Sequence, residues 1–157
     1  MNVDYINPFI EASQSVLMMM TGNKPELGQV YIRKSPFKSD NVAVIVGLTG
    51  KIRGQVILSF SQKSALAVAS AMMGGMTVSV LDEISKSAIS ELANMIMGNT
   101  ATLLASRGIG IEITPPSLFM GEKLLITPAN MKTICIPLRI GGENSIDIDV
   151  SLADKNK

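Results

Sequence analysis

Histidine and tryptophan are absent from this 157-residue chain, and cysteine occurs once. Without an imidazole, Ser-His-Asp and Cys-His nucleophilic systems, histidine acid–base steps and most transition-metal sites are excluded. Any catalysis must then work by positioning and electrostatics. Aromatic residues make up 4% of the chain and no run of Lys or Arg occurs. The clustered cations and stacking rings of a nucleic-acid interface are therefore missing. The net charge of +1 comes from 14 basic and 13 acidic residues that are interspersed. The longest uncharged apolar runs, such as Val42 to Leu48, are too short to span a bilayer. Asp4, Pro8 and Glu11 stand where a signal peptide needs unbroken apolar residues. Cys135, between Ile134 and Ile136, has no intrachain partner and reads as a small buried hydrophobe in a reducing compartment. As a nucleophile it has no histidine to activate it. The expectation is a soluble, cytoplasmic protein with neither nucleic acid nor membrane as a partner.

What the chain does have is apolar mass. Hydrophobic residues make up 46% and charged residues 17%, which excludes a disordered chain and supports one domain with a real core. Eleven methionines are present; they read as gap-fillers in a core poor in aromatics, an adaptable binding surface being the other use.

Asn7-Pro8 looks like a helix start, with Phe9, Ile10, Ser13, Val16, Leu17 and Met20 at helical period and Gly22 as the stop. Leu27 to Ser35 alternates loosely, as a strand ending at Pro36. Val42 to Leu48 and Gly54 to Phe60 read as an antiparallel hairpin. Ser61 caps a second helix, Gln62 to Met73, ended by Gly74-Gly75. Ile109 to Thr114, Lys123 to Thr127, Met131 to Ile140 and Ser145 to Leu152 follow as strands. In the last, Ile146, Ile148, Val150 and Leu152 alternate with Asp147, Asp149 and Ser151, which predicts one buried and one wet face. Pro137 belongs at an edge or a bulge. The fold expected is α+β: residues 1–157 as a single domain with a largely antiparallel sheet, about three helices, and a frayed tail from about Ala153.

The third helix, Ser79 to Ser106, stands out. Ser79 and Asp82 resemble a capping box, and Gly108 and Gly110 end the helix. At about 100° per residue, Ser87, Glu91, Asn94, Gly98 and Thr102 fall along one stripe. Leu81, Leu92, Ile96 and Leu103 lie opposite, with Ile89 beside them. Taken alone, such a stripe is an ordinary solvated helix face. Asn94 is unusual, because asparagine has poor propensity in a helix interior and caps nothing here. The small neighbours Ser90 and Gly98 leave its amide and the Glu91 carboxylate projecting.

Ser87-x3-Glu91-x2-Asn94 resembles the Asp/Ser-x3-Glu-x2-Asn signature of the bacterial chemotaxis phosphatases CheC, CheX and FliY. Ala65 to Val68, Ala71 to Met76, Leu81-Asp82-Glu83, Ser90 to Met95 and Ile113-Thr114-Pro115-Pro116 are similar to CheX in order and spacing. The resemblance implies hydrolysis of the aspartyl phosphate on a CheY-like response regulator. It carries over Glu91, as anchor for a lysine of the partner, and Asn94, to hold the attacking water. Ser87, Ser90 and Gly98 would be partner-facing. The phosphoryl group and Mg²⁺ would belong to the partner, so the chain itself needs no cofactor and no metal ligand. An acyl phosphate is already activated, so a neutral amide that places water suffices. The resemblance also implies homodimers formed by joining sheet edges, which the exposed strands permit. The other reading is a non-catalytic module that docks a receiver domain. Asn7-x3-Glu11-x2-Gln14 is a near-copy of the signature; Gln14 is one methylene too long and Asn7 is accounted for as a cap, so that helix reads as structural.

Overall fold

The computed structural model describes residues 3–128 and 131–153. Among these, three helices and ten strands follow in the order α1 (Val3–Thr21), β1 (Glu26–Leu27), β2 (Tyr31–Arg33), β3 (Phe37–Lys38), β4 (Val42–Gly50), β5 (Gly54–Phe60), α2 (Gln62–Met72), α3 (Glu83–Ser106), β6 (Ile111–Ile113), β7 (Ser117–Met120), β8 (Leu125–Ile126), β9 (Met131–Gly141) and β10 (Asn144–Ala153). The fold is α+β. Every strand pairing is antiparallel. The main sheet runs β1-β9-β10-β5-β4-β6, with β2 also on β9 and β7 also on β4, while β3 and β8 form a separate pair.

The expected β4–β5 hairpin is present, Val42 facing Phe60 and Leu48 facing Gly54. Strand alternation then sorts the side chains. Val42, Val44, Val46 and Leu48 of β4, Val56, Leu58 and Phe60 of β5, and Ile146, Ile148, Val150 and Leu152 of β10 share one core with Phe9, Val16 and Leu17 of α1 and Ile89, Leu92, Ile96 and Met97 of α3. The helices thus cover one face of the sheet.

The alternation of β10 predicted a wet opposite face; instead much of that face is covered. Asp149 is 1% exposed and Ser151 is fully buried. A second small core of Phe37, Ala43 and Ile57, packed with Ile45, Leu124 and Ile126, brings the β3–β8 pair over this side. Arg33 lies beneath that cover. Its Nη1 donates to Asp149 Oδ1 and Oδ2, each at 3.2 Å, and stands 3.7 Å from Asp147 Oδ2. Its Nη2 donates to the Lys38 carbonyl at 3.1 Å, and the guanidinium sits 4.7 Å from the Phe37 ring centroid. Thr133 and Ser151 hydroxyls pair at 2.7 Å, so the buried polar groups on this face are satisfied.

Several boundaries differ from expectation for identifiable reasons. Helix α1 begins at Val3 and passes through Pro8, so Asn7 is not its cap. Pro8 cannot donate to the Asp4 carbonyl, and Arg107 Nη1 supplies a donor there at 3.3 Å. The strand expected over Leu27 to Ser35 is broken into β1 and β2. Between them Gly28 donates its amide to the Pro137 carbonyl at 2.9 Å, placing Pro137 at the gap in β9's outer edge. Strand β7, just after Pro115-Pro116, was not expected at all. Strand β10 extends through Ala153; the tail anticipated beyond it lies outside the described residues.

Candidate active site

Helix α3 starts at Glu83 rather than Ser79. Asp82, in extended backbone, is the N-cap, and its side chain accepts from the Ser85 amide at 2.9 Å. At the other end Gly108 takes a φ of +78°. There Gly108 donates to Ala105 and Ile109 to Leu104, at 3.0 and 2.9 Å, a Schellman closure that needs glycine at its left-handed position. Between these ends Ile89, Leu92, Ala93, Ile96, Met97, Thr100 and Leu104 are buried. Leu103, expected on the core face, is half-buried, and Leu104 takes that place.

The outer stripe forms as predicted. Ser87, Glu91 and Asn94 are exposed, with Ser90 and Gly98 half-buried. Glu91 and Asn94 lie on the same face about 4.5 Å apart along the axis, at 1.5 Å per residue. Among the described residues neither side chain has a hydrogen bond or ion pair within the chain. Both are free to meet an incoming molecule.

These residues form one wall of a groove of about 790 Å³. Glu83, Lys86, Ser87, Ser90, Glu91 and Asn94 line it from α3, and Ile113, Thr114, Pro115, Pro116, Leu118 and Met120 line it from β6, β7 and the turn between them. Gly98 does not line it; it lies a turn further along, where a Cβ would meet nothing within 4 Å. Lys86 Nζ is held 2.8 Å from Glu83 Oε1 at the N-terminal end of the groove. Ile84, one turn before Ser87, is 66% exposed and continues the stripe with an apolar side chain.

The second wall was missed in the sequence, where no strand was expected between the strand Ile109 to Thr114 and the one beginning at Lys123. The available signal was the short apolar run Leu118-Phe119-Met120 in that interval. The near-copy Asn7, Glu11 and Gln14 is helical throughout, with Asn7 and Glu11 exposed and Gln14 half-buried.

The fold and the site define an α+β domain with an unpartnered carboxylate and amide one helical turn apart beside an open groove. Comparison with known proteins narrows this class. The sequence profile described as "Chemotaxis phosphatase CheX" matches residues 42–139, and the chain belongs to the CheX family. It is 33% identical over 152 residues to the CheY-P phosphatase CheX of Thermotoga maritima, covering 97% of each chain. It is similar in structure to a chemotaxis protein CheX from Desulfovibrio desulfuricans, with a TM-score of 0.85 and 30% identity over 96% of this chain and 99% of the other. A CheX–CheY–BeF3–Mg²⁺ complex from Borrelia burgdorferi matches at a TM-score of 0.82 and 29% identity, covering 98% of this chain and 100% of that one.

Proposed function

We propose that this chain is a phosphatase that removes the phosphoryl group from the aspartate of a CheY-like response regulator. The observation that carries the reading is the Glu91–Asn94 pair, exposed and unpartnered on one face of a capped, core-packed helix. A carboxylate in that position makes a charge-assisted contact with a lysine beside the partner's phosphoaspartate and fixes the register of docking. The Asn94 amide is neutral, so it approaches a crowded anion without repulsion and holds a water in line with phosphorus. The water oxygen bonds to phosphorus as the bond to the aspartyl oxygen breaks, giving inorganic phosphate and a free carboxylate. The Mg²⁺ that neutralises developing charge comes with the receiver. In support, a relative of similar fold was solved with CheY and Mg²⁺. Ser87 and Ser90 keep the groove open beside the pair, and Gly98 keeps the next turn of the helix clear.

The compartment that fits this substrate is the cytoplasm, and among the described residues no helix is long and apolar enough to cross a membrane. Residues 1–157 are read as one phosphatase domain. The chain is further read as a homodimer joined at the β1–β2 edge, where Leu27, Val30, Tyr31 and Ile32 are exposed and Ile32 reaches 68%. The test of the activity is phosphate loss from a Mg²⁺-bound, phosphorylated receiver domain with and without this protein. Acceleration beyond the receiver's own decay is expected; binding without acceleration would leave only a docking module.

A further inference from the structure

Strands β6 and β7 are two ends of one edge strand interrupted by a bulge. Ile113 pairs with Leu48 and Ser117 with Ile45, so Thr114, Pro115 and Pro116 stand opposite only Val46 and Gly47. One extra residue reverses the facing of everything after it. Unbulged continuation from Ile113 would turn Ser117 and Phe119 toward the helices. Instead Leu118 and Met120 face that side, opposite the core-facing Val44 and Val42, and both line the groove with Glu91 and Asn94. Phe119 pairs with Ala43, which belongs to the small core on the other face.

Thr114 holds this bulge in place. Its amide donates to the Gly47 carbonyl at 3.0 Å, and the Gly47 amide donates back to Thr114 Oγ1 at 2.8 Å. Gly47 leaves room for this side chain: a Cβ there would stand 3.1 Å from Thr114 Cγ2, a tight contact that would push the threonine back by a few tenths of an ångström. Pro115 and Pro116 add fixed φ angles and take no ladder donors.

We propose that the bulged strand is the apolar half of the surface on which the phosphorylated receiver docks, with Met120 as its contact and Thr114 as the positioning residue that sets the strand's phase. The inference rests on the phosphatase reading above and deepens it. The receiver is the occupant because the strand and the Glu91–Asn94 pair are walls of one continuous groove. A partner seated on Glu91 and Asn94 cannot avoid the wall opposite. Met120 is 47% exposed, and its flexible thioether adapts to a protein surface. Phe119, 48% exposed one residue away, faces elsewhere and is larger, so the two separate phase from general stickiness.

The experiment measures binding of a Mg²⁺-bound receiver activated with beryllofluoride, a stable phosphoryl mimic, together with steady-state phosphate loss. Met120→Ser is expected to raise Kd and KM about fivefold or more while kcat stays within about twofold. Phe119→Ser is expected to leave all three within about twofold. Thr114→Val, which keeps shape and the backbone bond but loses the hydroxyl that accepts from the Gly47 amide, should weaken binding as Met120→Ser does, and Thr114→Ser should restore it. A silent Met120→Ser, or a Phe119→Ser that weakens binding as much, overturns the proposal. If Thr114→Val fails to fold by circular dichroism, the Met120 and Phe119 comparison still decides. If Asn94→Ala abolishes turnover while Met120→Ser is silent, the phosphatase reading stands and this inference falls. If the wild-type protein neither binds nor accelerates, both fall.

Discussion

Asp82 and Ser85 close the first turn of α3 on each other: the Ser85 amide and hydroxyl both donate to Asp82 Oδ1, at 2.9 and 2.7 Å. The Ser85 hydroxyl, and after it the Ser85 amide, hold the Asp82 carboxyl below the usual carboxylate range. A depressed folded pKa contributes stability above the unfolded value, near about 4, that is lost as pH falls through the folded one. Asp82→Ala should therefore melt below wild type at pH 6 and approach it toward pH 3. Asp82→Asn keeps an accepting oxygen but not the charge, so it should lie between wild type and Asp82→Ala at pH 6 and close to wild type toward pH 3. Thermal melts across that range check this, and an Asp82→Ala deficit unchanged by pH would contradict it.

Arg33 is the cation for the carboxyl of Asp149, whose pKa burial raises and Arg33 lowers, the burial effect being larger. Removing the cation leaves a buried carboxylate without a partner, which costs about 3 kcal/mol, the low end for a buried pair because Arg33 is partly exposed. A raised folded pKa means that stability is fully present below the unfolded carboxylate pKa and is lost as pH rises from there through the folded pKa. Arg33→Met should thus be most destabilised at neutral pH, by on the order of 10 °C in Tm, and recover as the solution is acidified toward pH 4. Adding Asp149→Asn should recover part of the loss at pH 7.

The thiol of Cys135 is fully buried. Burial is the main cause that pushes its pKa up to about 12, so thiolate is scarce at physiological pH. A thiol reagent at pH 8 should label the native protein slowly and the denatured protein at once. Rapid stoichiometric labelling of the folded chain would contradict the burial.

If the β1–β2 edge joins two copies, Ile32→Asp should convert a dimer into a monomer in sedimentation velocity, because a charge on an exposed edge strand opposes pairing. Phosphatase activity per chain should persist, since the groove is built from α3, β6 and β7. A dimer untouched by Ile32→Asp would place the interface elsewhere.

The features legible in the sequence were those written in local periodicity. Helical spacing placed Glu91 and Asn94 on one face, and alternation placed the β4–β5 hairpin and the core face of β10. The resemblance to chemotaxis phosphatases then told which two residues of an ordinary polar stripe to single out. The features missed depend on partners distant in sequence. Asp149 looked solvated because Arg33, which covers it, is far away along the chain. Pro8 looked like a helix start because the donor that compensates it comes from Arg107. The second wall of the groove was hidden because a bulge exists only relative to β4, and no pattern within Ile113 to Met120 shows that two residues stand opposite three.

The central claim, that Asn94 places the attacking water while Glu91 holds the partner, is tested most directly by single-turnover phosphate loss from a Mg²⁺-bound phosphorylated receiver at saturating Asn94→Ala protein. The account predicts that the variant still binds the beryllofluoride-activated receiver with near wild-type Kd, yet accelerates decay at least about 100-fold less than wild type. An Asn94→Ala protein that accelerates decay as wild type does would contradict it.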